Sequence, residues 1–223
     1  MSKEELVYLI IDNIEGGYYH PLMKDNLRNG DRLGDSGETM FGIDRKNGAP
    51  LFVTGTPAAI QFWQIVDDNF GEHHADVAYY NDKADGRKKT PATVGARLRL
   101  LTAAMIIDAY EKNADYLSPG AREIVFNNPR LTLQFLYATY NGSGNFKLFA
   151  DVMNAAYANG ERSAQAFWNL IQDARRRKGG LFAEGADKLE NIGATLQNGN
   201  GKIFFGLVAV VAGIWLISKI FRS

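Results

Sequence analysis

The 223-residue chain has no cysteine. Disulfide frameworks, thiolate zinc sites, iron–sulfur clusters and cysteine nucleophiles are therefore excluded. Histidine occurs only three times, so a histidine-built metal centre is not expected, and no cofactor is implied. Two of the three, His73 and His74, are adjacent and would point about 100° apart on a helix, poorly set to share an ion. An excess of either charge is also missing, because 25 Lys+Arg balance 25 Asp+Glu. A nucleic-acid partner, which needs a basic surplus to displace counterions, is not expected. The chain carries no Gly-x-Ser-x-Gly elbow, no His-Glu-x-x-His pair and no Gly-x-x-x-x-Gly-Lys loop. Met1 to Glu5 is polar and acidic, so no secretory leader is expected.

What is present suits a well-packed body. Hydrophobic residues make up 46% and aromatics 12%, enough for a large core. One long apolar run stands out. Ile203 to Ser218 contains no charged residue, and Ile220 and Phe221 extend it past Lys219. As a helix, residues 203–221 would measure roughly 28 Å, close to one bilayer core. Lys202, Lys219 and Arg222 flank it, where their stems can snorkel to headgroups. The expectation is a single-pass C-terminal anchor with lipid as its partner; the alternative is a buried core helix. Ala209-x-x-x-Gly213 has the small-residue spacing through which anchor helices pair into homo-oligomers.

The rest reads as mainly all-α. Ser2 and Glu5 form a Ser-x-x-Glu capping box, followed by an apolar stripe of Leu6, Leu9, Ile10 and Ile14 that Gly16-Gly17 ends. Residues 18–55 read as loops with a short β-hairpin around Thr39 to Ile43. Thr56-Pro57, Thr90-Pro91, Ser118-Pro119 and Asn128-Pro129 each pair a capping side chain with proline at the first helical position. They predict helices over 57–70, 92–113, 119–126 and 129–140, and two more follow over 146–158 and 161–178. Trp63 and Trp168 fit core-facing positions. Arg175-Arg176-Arg177-Lys178 is read as a solvent-facing run complementing a helix C-terminus, with a second role against anionic wall polymer or headgroups. Residues 179–201 are glycine-rich and read as a tether holding one short helix. The expected organisation is a domain over 1–178, a tether over 179–201 and an anchor over 202–223.

Chemistry concentrates near the N-terminus. Glu15 ends an amphipathic helix, where the negative pole of the macrodipole disfavours an ionised carboxylate. Tyr18, Tyr19 and Phe41 could add desolvation, and both effects raise a carboxyl pKa. A carboxylic acid that keeps its proton near neutral pH is what protonation of a glycosidic oxygen needs. Tyr18 and Tyr19 are also placed to stack on sugar rings or to pack over the helix end.

Glu15-Gly16-Gly17-Tyr18, followed by Gly37-Glu38-Thr39-Met40-Phe41-Gly42-Ile43 and then Asp44-Arg45-Lys46, resembles glycoside hydrolase family 108. These are phage-type N-acetylmuramidases that cut peptidoglycan. The resemblance implies a lysozyme-like helical domain and makes Glu15 the catalytic acid. The family's Asp-x-Gly-Gly-x-Thr run reads here as the one-residue-shorter Asp35-Ser36-Gly37-Glu38-Thr39, with Glu38 in place of one glycine. By analogy with phage-type lysozymes, Asp35 and Thr39 would position water or stabilise the developing charge. Asp25 and Asp31 compete for the carboxylate role, Glu38 is a further candidate at the site, and Thr39 has the alternative of a local hairpin hydrogen bond. Phe62 to Asp67 resembles a Trp-x-x-Ile-Asp element, and Tyr140 to Phe146 an Asn-Gly-x-Gly-x-Phe turn. In that turn Asn141 is a candidate for hydrogen-bonding substrate or for capping a helix. Together these imply a membrane-anchored muramidase of a phage virion that opens the host wall. The same acid also serves a lytic transglycosylase. The rival from another class is a non-catalytic, membrane-anchored virion protein with a lysozyme-like body. The location would be a virion membrane or, failing a phage origin, a bacterial inner membrane.

Overall fold

The structure, a computed structural model, describes residues 1–15, 18–19, 39–45, 55–70 and 92–197. These are mainly helical. Lys3–Ile10 forms α1, continued by a π-helical turn over Ile11–Glu15. Three two-residue strands follow: β1 (Tyr18–Tyr19), β2 (Thr39–Met40) and β3 (Ile43–Asp44). Then come α2 (Pro57–Phe70), α3 (Ala92–Asn113), a 3-10 turn (Ala114–Tyr116), α4 (Pro119–Phe126), α5 (Pro129–Tyr140), α6 (Ser143–Ala158), α7 (Ala164–Lys178) and α8 (Leu181–Gln197).

Local chemistry sets most of these starts. Ser2 Oγ accepts from Glu5 N at 3.2 Å while Ser2 N donates to Glu5 Oε2 at 2.7 Å, so the capping box is formed. Thr56 Oγ1 accepts from Ala59 N, and Asn128 Oδ1 accepts from Arg130 N and Leu131 N, each followed by proline at the first helical position. Ser118 departs from the expectation. Its hydroxyl makes no cap bond; instead its N–H donates to Asn154 Oδ1 at 2.8 Å, tying the start of α4 to α6. Helix α6 begins at Ser143, three residues before the expected start. Helix α7 begins at Ala164, three residues after it, because Ser163 is the residue that caps. Thr90-Pro91, His73, His74 and the apolar run from Ile203 lie outside the described residues. Among the described residues no helix is long and apolar enough to cross a membrane.

Helix α5 is the axis of the body. Leu131 to Tyr140 are buried without interruption, and α1, α3, α4, α6, α7 and α8 all pack on it. A helix apolar on all faces requires such a sheath. Phe135 stacks on Phe149 of α6 with ring centres 4.9 Å apart and meets Tyr110 of α3 at 5.0 Å. Trp63 and Trp168 are buried, as their positions predicted.

Two expectations are corrected at the C-terminal side. Residues 181–197 are not a tether segment. They form a 17-residue helix that buries Ala186, Leu189 and Ile192 and packs back on α7, α5 and the π turn. The glycines that suggested flexibility permit close approach instead. A Cβ at Gly185 would lie 2.2 Å from Tyr137 Oη, and one at Gly193 would lie 2.6 Å from the Trp168 ring. The basic run does not face solvent throughout. Arg176, Arg177 and Lys178 are exposed, but Arg175 is fully buried under α5. Because Trp168 meets Gly193 while Arg176 meets Asp187, α7 and α8 form an antiparallel hairpin. The basic run therefore sits at its closed end, a helix length of roughly 25 Å from Gln197.

Candidate functional site

The site is built on the end of the first helix. At Ile11 the α-helical hydrogen bonding gives way to the wider π pattern, which runs to Glu15. A π turn opens a helix by one residue and frees backbone carbonyls from their usual donors. Asn13 supplies one replacement, its Nδ2 donating to Leu9 O at 2.8 Å. Asp12 supplies a second tie. Its carboxylate takes both Arg99 Nη1 and Nη2, so the turn is fastened to the middle of α3. Burial raises the Asp12 pKa above the ordinary aspartate value, with Arg99 acting in the opposite sense. No basic residue lies in the π turn to offset the negative pole at Glu15.

The chain passes from Glu15 through two glycines into β1. In the antiparallel sheet β1–β2–β3, Tyr18 pairs with Met40 and Tyr19 with Thr39. Thr39 in turn pairs with Asp44, and Met40 with Ile43. The β2–β3 connection is the expected hairpin, closed by Phe41 and Gly42. Both have positive φ, 52° and 76°, the signature of a type I′ turn. Phenylalanine in the left-handed region costs roughly 1 kcal/mol or more. Burial of its ring offsets that: Met40, Phe41 and Ile43 all join the main core. The hairpin is thus seated on the body by three apolar side chains around a strained turn.

Arg45, the first residue after β3, locks this seat to α2. Its guanidinium grips the Asp67 carboxylate in bidentate fashion, with Nη2 to Oδ2 at 2.5 Å, and lies 5.1 Å from the Trp63 ring centre. Trp63 and Asp67 are four apart and share one face of α2. Arg45 and the Phe62 to Asp67 element, noticed separately by resemblance, are here one physical unit.

Of the sequence-predicted site residues, the pairing of β1 with β2 brings the backbones of Tyr18, Tyr19 and Thr39 together, and Glu15 ends the π turn with two residues between it and β1. Asp35 and Glu38 lie outside the described residues, as do Asp25 and Asp31. Asn141 is in the helical body, at the C-cap of α5. Its Nδ2 donates to Tyr137 O at 3.0 Å and its carbonyl accepts from Asn145 Nδ2 at 3.2 Å, with Gly142 at φ 86° beginning the next helix. The capping role is the one its hydrogen bonds display. Residues that sequence reading missed are Asp12, Arg99 and the Arg45–Asp67 pair. The charges were visible, but pairing across 87 and 22 positions leaves no local signal.

No group of three or more His, Asp or Glu side chains among the described residues could hold a metal ion. A cavity of about 210 Å³ lies elsewhere, lined by Met1, Lys3, Leu6, Tyr110, Phe126 and neighbours, and contains none of the candidate site residues. Comparison with protein-family models, curated proteins and solved structures finds no match to this chain.

Proposed function

We propose that this chain is a membrane-anchored muramidase that cleaves the glycosidic bond between N-acetylmuramic acid and N-acetylglucosamine in peptidoglycan. Its body is lysozyme-like, and its apolar run over 203–221 spans a membrane, that of a phage virion for preference. The observation that carries the reading is the pairing of β1 with β2. It makes neighbours of the two halves of the resembling motif, with Tyr19 opposite Thr39, directly beyond the helix end that bears Glu15. A long buried helix at the centre of a mainly helical body that also carries a small antiparallel sheet is in keeping with this reading.

In this mechanism Glu15 gives its proton to the leaving glycosidic oxygen while positive charge develops at the sugar ring. Asp35 or Thr39 acts on the opposite face, orienting water or stabilising that charge. In this reading Tyr18, Tyr19 and Glu38 contact the glycan, while Asn141 keeps the capping role its hydrogen bonds display. No cofactor takes part. The test is a peptidoglycan zymogram of the full chain in non-ionic detergent beside Glu15→Gln. The wild type clears the gel and the variant loses at least about a hundredfold, the scale for a removed general acid. Equal clearing by both overturns the assignment. Mass spectrometry of the released muropeptides separates hydrolysis from anhydro products of a transglycosylase.

A further inference from the structure

The buried Arg175 has no role in the reading above and, among the described residues, no counter-charge. It is wholly shielded from solvent, yet only Nη2 finds an acceptor, Gln134 O at 3.2 Å. Its Nε and Nη1 have none. The guanidinium carbon lies 5.1 Å from the centre of the Tyr137 ring, whose π face attracts it but carries no formal charge at neutral pH. Gln134, one turn before Tyr137 on the same face of α5, is equally buried, and both its side-chain polar atoms lack partners. Two carboxylates of the hairpin are engaged elsewhere. Glu190 accepts from Gln172 and lies against Arg176, and Asp187 also meets Arg176.

An isolated buried cation is among the costliest arrangements a core can hold, and native structures pair it or neutralise it. Burial lowers the Arg175 pKa only to about 10, so the group stays charged at neutral pH. The required partner must be negative and small, since α5, α7 and α8 close round the site. We infer that Arg175 and the Gln134 amide form an internal binding site for a monovalent inorganic anion of chloride size at the junction of α5, α7 and α8. The anion accepts from Arg175 and from Gln134 Nε2. Because Arg175 stands on α7 against α5, the bound ion bridges the terminal helical hairpin to the axis of the body, and binding is linked to folding.

The test is urea unfolding of the full chain in non-ionic detergent, followed by tryptophan fluorescence, in sodium chloride against sodium gluconate at equal ionic strength. Raising chloride from 10 to 500 mM should move the midpoint up by about 0.5–1 M urea for an ion bound in the ten-millimolar range, with no such change in gluconate. Arg175→Met should abolish the chloride response. Equal midpoints in the two salts overturn the site, as does a chloride response that survives in Arg175→Met. A variant more stable than wild type in both salts identifies a bare, uncompensated charge, which also overturns it. If the variant does not fold, bromide-soaked crystals of the wild type decide: an anomalous peak against Arg175 Nη1 or Nε is expected, and ordered water alone at that place refutes the proposal. None of these readings depends on glycosidase activity.

Discussion

The surroundings of α5 and the corner around Glu15 are held together by different forces. Around α5, ten consecutive residues are buried and six helices press on them, so cohesion comes from many interchangeable apolar contacts. In the corner, the π turn and the hairpin are short, and their placement relies on a few individual ties: Asp12 to Arg99, Asn13 to Leu9 O and Arg45 to Asp67. The difference separates stability from position. Losing one contact in the body weakens everything equally, whereas losing one tie in the corner moves a few atoms and leaves the fold standing.

That contrast can be broken experimentally. The largest effect on stability is expected from Phe135→Ala, which empties space between Tyr110 and Phe149 and should cost about 3–5 kcal/mol in urea unfolding. A cost under about 1 kcal/mol would mean that α5 is not the axis described here. Next comes Gly193→Ala. Its methyl would press on the rigid, buried Trp168 ring, an overpacking cost of about 1–3 kcal/mol reduced by up to about 1 kcal/mol of improved helix propensity. A stabilised variant would show that α8 is held loosely after all. Arg45→Met should lower stability by less than about 1 kcal/mol, because the ion pair is partly exposed, yet reduce peptidoglycan clearing by about tenfold or more as the hairpin loses its register on α2. Stability and clearing falling in proportion would erase the distinction between body and corner. The smallest effect concerns Asp12. Its folded pKa is raised, so the folded state holds the proton more tightly than the unfolded chain. Stability from this group is present below the ordinary aspartate pKa and declines as pH rises through the raised folded value. Asp12→Asn should flatten that decline in a pH series of urea midpoints; an unchanged profile would assign it to other carboxylates.

Legibility in the sequence followed the range of the interaction. Helices α2, α3, α4 and α5 have the expected bounds, although Ser118 forms no side-chain cap and the Thr90-Pro91 signal of α3 lies outside the described residues, and the hairpin stands at Thr39 to Ile43 as expected. Glu15 at a helix end was also readable, though its π turn was not, since nothing in Ile11 to Glu15 announces one residue too many. Residues 179–201 misled because glycine signals freedom in a loop and close packing in a helix, and only the arrival of Tyr137 and Trp168 distinguishes them. Arg175 misled for the same reason. Its three basic neighbours are exposed, and a position one residue along the helix turns by about 100°, from solvent to the face against α5.

The sequence by itself determined the helical character of this protein, the start of most helices and the presence of an acid at the end of the first one. Those features are settled by side chains acting on backbone groups within about four residues, so the local order of residues suffices. The tertiary structure alone decided that Arg45 belongs to Asp67, that Tyr19 lies opposite Thr39, that α8 is part of the core and that Arg175 is buried. Burial and long-range pairing depend on which distant surface arrives to exclude water, and a one-dimensional pattern does not contain that information.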